Sequence, residues 1–275
     1  MPIRTLPLLT LALFAGAVQT GAVQAGTLLE TVSRDLSSNG GSTIIHTWAQ
    51  NGMMRVESQA EKAASRSTMI FKNDTIYAIN HQDKSYYAMD RESMKRVAEQ
   101  LNPALKMLQE RMKDMTPEQR AQMEKMMGGS LPPGLGEAEK KTEIKRTART
   151  DKVSGYSCSY VQVLVDGVLT DEMCVTPSKA LKGSDELMTA ATRMAELMRE
   201  MMSTMDAPWL KQMAEKQIQN FAELGGIPVQ SRHFEAGSPQ SETTLKSIRS
   251  ENLAASTFEI PAGYTRKDML AAPGR

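Results

Sequence analysis

The chain has 275 residues, with 33 Lys and Arg against 32 Asp and Glu, a formal net charge of +1. Hydrophobic residues make up 40% and charged residues 24%, which fits a folded protein and excludes a disordered one. The balanced charge argues against broad binding to nucleic acid or acidic membranes, which needs a basic surplus.

Arg4 precedes an apolar run from Leu6 to Val18, and Val23 and Ala25 then occupy the −3 and −1 positions before Gly26. A positive start, a short apolar stretch and a small-residue exit read as a secretory signal over residues 1–25, cut before Gly26. The run is too short for a transmembrane anchor, and no later segment reads as a bilayer span. The expected place of action is the periplasm or the exterior. Residues 26–275 then read as a single domain.

Strand signals dominate residues 27–90. Thr43 to Gln50 and Met53 to Ser58 flank Asn51-Gly52, a strong short-range hairpin signal. Ser67 to Phe71 and Thr75 to Asn80 flank Asn73-Asp74, and Ser85 to Met89 follows a turn near Gln82-Asp83. Turns this short make successive strands antiparallel neighbours.

Helical periodicity then takes over from Arg91 to Met127, in pieces. Asn102 is placed to cap a helix opening with Pro103, and Thr116-Pro117-Glu118-Gln119 has the form of a capping box. Gly128 to Gly136 reads as a loop, and Glu143 to Asp151 returns to strand alternation. A second helical block spans Ser184 to Leu224, broken near Asp206-Ala207-Pro208 and ended by Gly225-Gly226. Ile227 to Glu235, Ser241 to Ser250 and the segment Phe258 to Tyr264 close the chain. The count is about ten or eleven short strands with two helical insertions, near 91–127 and 184–224. That pattern predicts an α+β protein with a curled antiparallel sheet or barrel.

Cys158 and Cys174 are the two cysteines, and export makes a disulfide the expectation. They lie in strand-like runs, Tyr156 to Leu164 and Val168 to Val175. A three-residue loop, Val165-Asp166-Gly167, would set them directly opposite one another. The bond would contribute roughly 3 kcal/mol, chiefly by restricting the unfolded chain.

Methionine is abundant at 21 residues, and 14 of them fall in the two helical blocks. Leu187, Ala191, Met194, Met198, Met201 and Met205 recur at helical spacing and form one stripe. In the first block Leu105, Leu108 and Met112 continue a similar stripe. Such a stripe can be packed core with Met as gap filler, a helical lid over an apolar cavity, or a soft-metal site for Cu(I). The methionines share their face with Leu and Ala and have no His nearby, which disfavours copper. His46, His81 and His233 are isolated, and no catalytic or metal-binding spacing occurs. The reading is therefore non-enzymatic, with no metal ligands and no cofactor.

The succession "MMRVES", "STMIFKNDTIYAINHQDKSYYAMD", "VSGYSCSYVQVLVDGVLTDEMCV", "GIPVQS" and "FEIPAGY" resembles an uncharacterised family of exported bacterial proteins assigned to a domain of unknown function. It is similar in turn to the periplasmic lipoprotein-carrier (LolA/LolB-like) superfamily. That resemblance implies an unclosed β-barrel, helices across its mouth and a hydrophobic cavity between them. The expected partner is a lipid, an acyl chain or an apolar peptide segment, held under a Met-rich lid. The candidate lining residues are Leu105, Leu108, Met112, Met194, Met198, Met201 and Met205. The rival readings are an envelope structural or interaction protein with a filled core, and a periplasmic Cu(I)-binding protein.

Overall fold

The computed structural model describes residues 25–37, 40–61, 66–113, 115–116, 118–119, 122, 141–205 and 223–269, with backbone alone at 108, 109, 112 and 113. Residues 1–24 of the proposed signal segment lie outside them. The first strands are β1 (Gly26–Asp35), β2 (Ser42–Gln50), β3 (Met53–Ala60), β4 (Arg66–Lys72), β5 (Thr75–Asn80) and β6 (Ser85–Met89). Helix α1 (Arg91–Lys113) follows, then β7 (Thr142–Val153), β8 (Tyr156–Val165) and β9 (Val168–Thr176). Helix α2 (Ser184–Ser203) precedes β10 (Ile227–Glu235), β11 (Ser238–Glu251) and the short β12 (Thr265–Arg266).

All twelve strands form one curled, unclosed sheet in the order β12-β6-β5-β4-β3-β2-β1-β11-β10-β9-β8-β7. Every pairing is antiparallel except β12 on β6. Two-residue turns explain why neighbours in sequence are neighbours in space. Asn51-Gly52, Asn73-Asp74 and Asp166-Gly167 all have positive φ at both positions, the mirror-image turn whose twist matches that of the strands.

Several expectations need correction. Asn102 does not begin a helix: α1 runs unbroken through Pro103. The helix instead starts at Asp90, whose Oδ1 accepts from Ser93 N at 2.7 Å while Asp90 N donates to Ser93 Oγ at 2.9 Å. That reciprocal pair satisfies amides the first turn would leave open, and the packed first turns outweigh the amide lost at Pro103. The capping box at Thr116 does form: Thr116 N donates to Gln119 Oε1 (2.9 Å) and Gln119 N to Thr116 Oγ1 (3.3 Å).

The closing segment is also different. Ala255–Phe258 forms a 3-10 turn, and the strand comes later, at Thr265–Arg266. Pro261 has no amide to donate, so this stretch lies across the sheet rather than pairing with it. The alternation expected over Glu143 to Asp151 is interrupted by a register shift between Arg146 and Thr150.

The cysteines are joined, with S–S 2.06 Å and Cα–Cα 5.3 Å, but they are not directly opposite. The turn has two residues, and Thr170 is an extra residue on β9, its hydroxyl donating to Val163 O at 3.2 Å. The bulge shifts the register so that Cys174 faces Tyr160. Cys158 is the diagonal neighbour, and the twist of the sheet shortens that diagonal.

Candidate functional site

The register builds a floor for α2. Thr27, Ala49, Met54, Phe71, Ile76 and Met89 are successive cross-strand partners from β1 to β6. The next row on this face is Leu29, Thr47, Val56, Met69, Ala78 and Tyr87. Leu187, Ala190, Leu197 and Met201 of α2 pack on Ala49, Met54, Phe71 and Ile76 in one buried cluster. Met69, Met89, Met94, Met194 and Met198 are half-buried around it. Thioether side chains therefore fill much of the gap between helix and sheet. Their flexible shafts adapt to an irregular floor that branched side chains would fit less well.

Polar links pin the helix at its rim. Gly183, at φ 87°, caps the N-terminus, and its carbonyl accepts from Thr27 Oγ1 at 2.7 Å. A Cβ there would sit 2.5 Å from that hydroxyl oxygen, so both the conformation and the space demand glycine. Asn51 N in the β2–β3 turn donates to Glu186 Oε2 at 2.7 Å. Asp74 in the β4–β5 turn pairs with Arg193 (3.4 Å) and with Arg91 (3.5 Å), and Arg91 reaches Glu200 at 2.8 Å. The Thr27–Gly183 bond is part-buried, whereas the links of Asn51, Asp74 and Arg91 are exposed, so each of the latter adds little stability while helping to set the position of the helix.

Outward of the stripe lies an open groove of about 690 Å³. Arg91, Arg193 and Arg199 line it, balanced by Asp74, Glu196 and Glu200. It is polar and near neutral, unlike an apolar cavity.

Of the candidate lining residues, the structure brings Met194, Met198 and Met201 together on the sheet. Met201 is 2% exposed and Leu197 beside it equally so. Leu105 and Met205 are half-buried and lie outside that cluster. The side chains of Leu108 and Met112 lie outside the described residues. Further along α1, Leu101 and Met107 are exposed at 43% and 58%.

Toward the β7 edge the register also aligns charge. Arg34, Glu242, Arg232, Glu172 and Gln162 are successive cross-strand partners from β1 through β11, β10 and β9 to β8. Arg232 Nε donates to Glu242 at 2.7 Å, and Arg149 both reaches Glu172 at 2.5 Å and stacks 3.4 Å from the Tyr160 ring centroid. Burial, helped by the bond to Asp151, pushes the Tyr160 phenol up. None of these partners is visible in a single sequence, because the ladder exists only once the register is set.

Each histidine has a polar partner. His46 faces Glu30 at 3.4 Å, and His233 faces Asp171 at 3.0 Å. His81 lies between Thr68 Oγ1 (2.7 Å) and Tyr264 Oη (2.8 Å). Among the described residues no group of three or more His, Cys, Asp or Glu is placed to hold a metal ion, and no helix is long and apolar enough to cross a membrane.

A curled, open antiparallel sheet with amphipathic helices laid on one face defines an α+β sheet-and-helix protein. Residues 109–264, more than half of the chain, match the family described as Domain of unknown function (DUF4412), and the chain belongs to that family. No curated protein matches it. Among solved structures it is similar to an uncharacterised conserved protein from Thermus thermophilus, at 6% identity and TM-score 0.44, covering 89% of this chain and 93% of that one. It is also similar to the MucA/MucB complex of Pseudomonas aeruginosa, at 8% identity and TM-score 0.37, covering 87% of this chain and 57% of that one. A third likeness is to a putative outer membrane lipoprotein-sorting protein domain from Vibrio parahaemolyticus, at 6% identity and TM-score 0.27, covering 85% and 89%.

Proposed function

We propose that this protein acts in the periplasm as a non-catalytic binding protein for a hydrophobic ligand, a lipid, an acyl chain or an apolar peptide segment. The observation that carries the reading is the methionine layer between α2 and the sheet. Such a layer can re-pack around an apolar guest, and the exposed pairs of Asp74 and Arg91 with α2 cost little to rearrange as it does so. Met194, Met198, Met201 and Met205 would meet the guest from above, and Leu105, Leu108 and Met112 would extend the contact along α1. The sequence at Val23 to Gly26 and the Cys158–Cys174 bond support export to an oxidising compartment.

A second reading, an envelope interaction protein with a filled core, is favoured by the tight burial of Leu197 and Met201. Native mass spectrometry and lipid extraction of protein taken from the periplasm separate the two. A co-purified lipid is the expected result. Protein free of any apolar adduct would overturn the carrier reading in favour of the filled core, and a copper adduct would move the assignment to Cu(I) binding.

A further inference from the structure

We infer that cleavage before Gly26 does more than release the chain: the new α-ammonium group of Gly26 seats against the Glu251 carboxylate and pins the end of β1. The inference rests on the export reading. In the cleavage, water adds across the Ala25–Gly26 amide under a signal-peptidase-type protease. The C–N bond breaks, the hydroxyl goes to the Ala25 carbonyl carbon, and the Gly26 nitrogen leaves as a protonated amine.

Three observations converge on this spot. Ala25 is exposed while Gly26, the first residue of β1, is buried, so the boundary between accessible and packed chain falls at that bond. Gly26 also has no room for a side chain. A Cβ there would stand 2.5 Å from Leu253 Cδ1 and 3.0 Å from Ala49 O. Finally, Gly26 and Glu251 are direct antiparallel partners, which sets their Cα atoms about 4.5–5.5 Å apart, a span the Glu251 side chain is long enough to bridge toward the α-nitrogen.

Glu251 has an unmet need. The side chain is 41% exposed, but its Oε2 is buried and accepts no hydrogen bond among the described residues. Arg249 Nε approaches that oxygen only to 3.5 Å, an ion-pair contact without hydrogen-bond geometry. Buried acceptors are nearly always satisfied, and a carboxylate oxygen gains most from a cationic donor. A backbone amide at Gly26 has one hydrogen and no charge, whereas the processed terminus offers three hydrogens and a positive charge at the same place.

Two measurements test this separately. The intact mass of the exported protein gives the cleavage point, and the expected N-terminus is Gly26. Protein that begins at Gly26 is then compared with its Nα-acetylated form and with a form that keeps Ala25, each with Glu251 and with Glu251→Gln. Acetylation or retention of Ala25 should lower the melting temperature by about 2–4 °C when Glu251 is present and leave it unchanged in E251Q. Equal melting temperatures for free and acetylated protein would overturn the seat even if export cuts before Gly26. A terminus elsewhere would overturn the cleavage site, whatever the melts show.

Discussion

At the scale of single residues, stability depends on a few side chains that finish what the backbone begins. The Cys158–Cys174 bond joins two adjacent strands inside a cluster with Tyr160, Leu181, Val229 and Leu245. Changing both cysteines to Ser should cost about 2–4 kcal/mol, seen as a clear drop in melting temperature that reductant reproduces in the unmodified protein. Asp90 acts at the start of α1. Burial raises its pKa, but the hydrogen bonds from Ser93 outweigh that and hold the carboxyl below the usual range. A lowered folded value means the stabilisation is present above the unfolded pKa of about 3.9 and fades as pH falls through the folded one. Asp90→Ala should therefore cost about 1 kcal/mol at neutral pH, and denaturant melts should show the difference shrinking in acid.

At the scale of elements, the two pieces that cover the sheet differ in how they are held. Helix α2 rests on a methionine layer, so Met198→Gln with Met201→Gln tests what that layer is for. If the face receives a ligand, binding of a fluorescent fatty-acid probe should weaken while the melt changes little. If it is closed core, two amides lose their water without partners at about 1–3 kcal/mol each, and the melt falls steeply with no probe bound even by unmodified protein. The C-terminal strap is held differently. Phe258 is buried on Ile70 and Ile79, Arg55 donates to Thr257 O at 3.2 Å, and Lys72 and Lys267 pair with Glu259 and Asp83. Tyr264 meets His81, whose pKa burial lowers, followed by the charge of Arg66. A lowered histidine value means stability is full above the unfolded pKa of about 6.5 and is lost as pH falls toward the folded one. Melting temperature should fall as pH drops below about 6.5, and His81→Asn should reduce that fall.

At the scale of the whole molecule, a twelve-stranded sheet stays open and carries charge across its strands instead of closing. Arg232 stands between Glu172 and Glu242, whose side chains are 8% and 15% exposed. Removing it as Arg232→Ala takes from the little-exposed Glu242 its 2.7 Å cation, while Glu172 keeps Arg149. The expected cost is about 1–3 kcal/mol, while Arg96→Ala, in an exposed pair on α1, should stay within about 0.5 kcal/mol. Chemical denaturation of the two variants checks both figures.

The sequence by itself determined the α+β class, the hairpin at Asn51-Gly52, the two helical insertions, the methionine stripe on α2 and the pairing of the cysteines. Those features are local: turn chemistry and periodicity act over a few residues, and two cysteines have only each other to pair with. Only the tertiary structure decided the rest. Pro103 stays inside α1 because packing of its first turns outweighs one missing amide. Thr170 slips the register, which turns an expected facing pair of cysteines into a diagonal one. The ladder from Arg34 to Gln162 gathers residues from five strands, and Glu251 meets Gly26 across nearly the whole described chain. Such meetings depend on strand order and register, which arise from the summed burial of the whole sheet rather than from any short stretch of sequence.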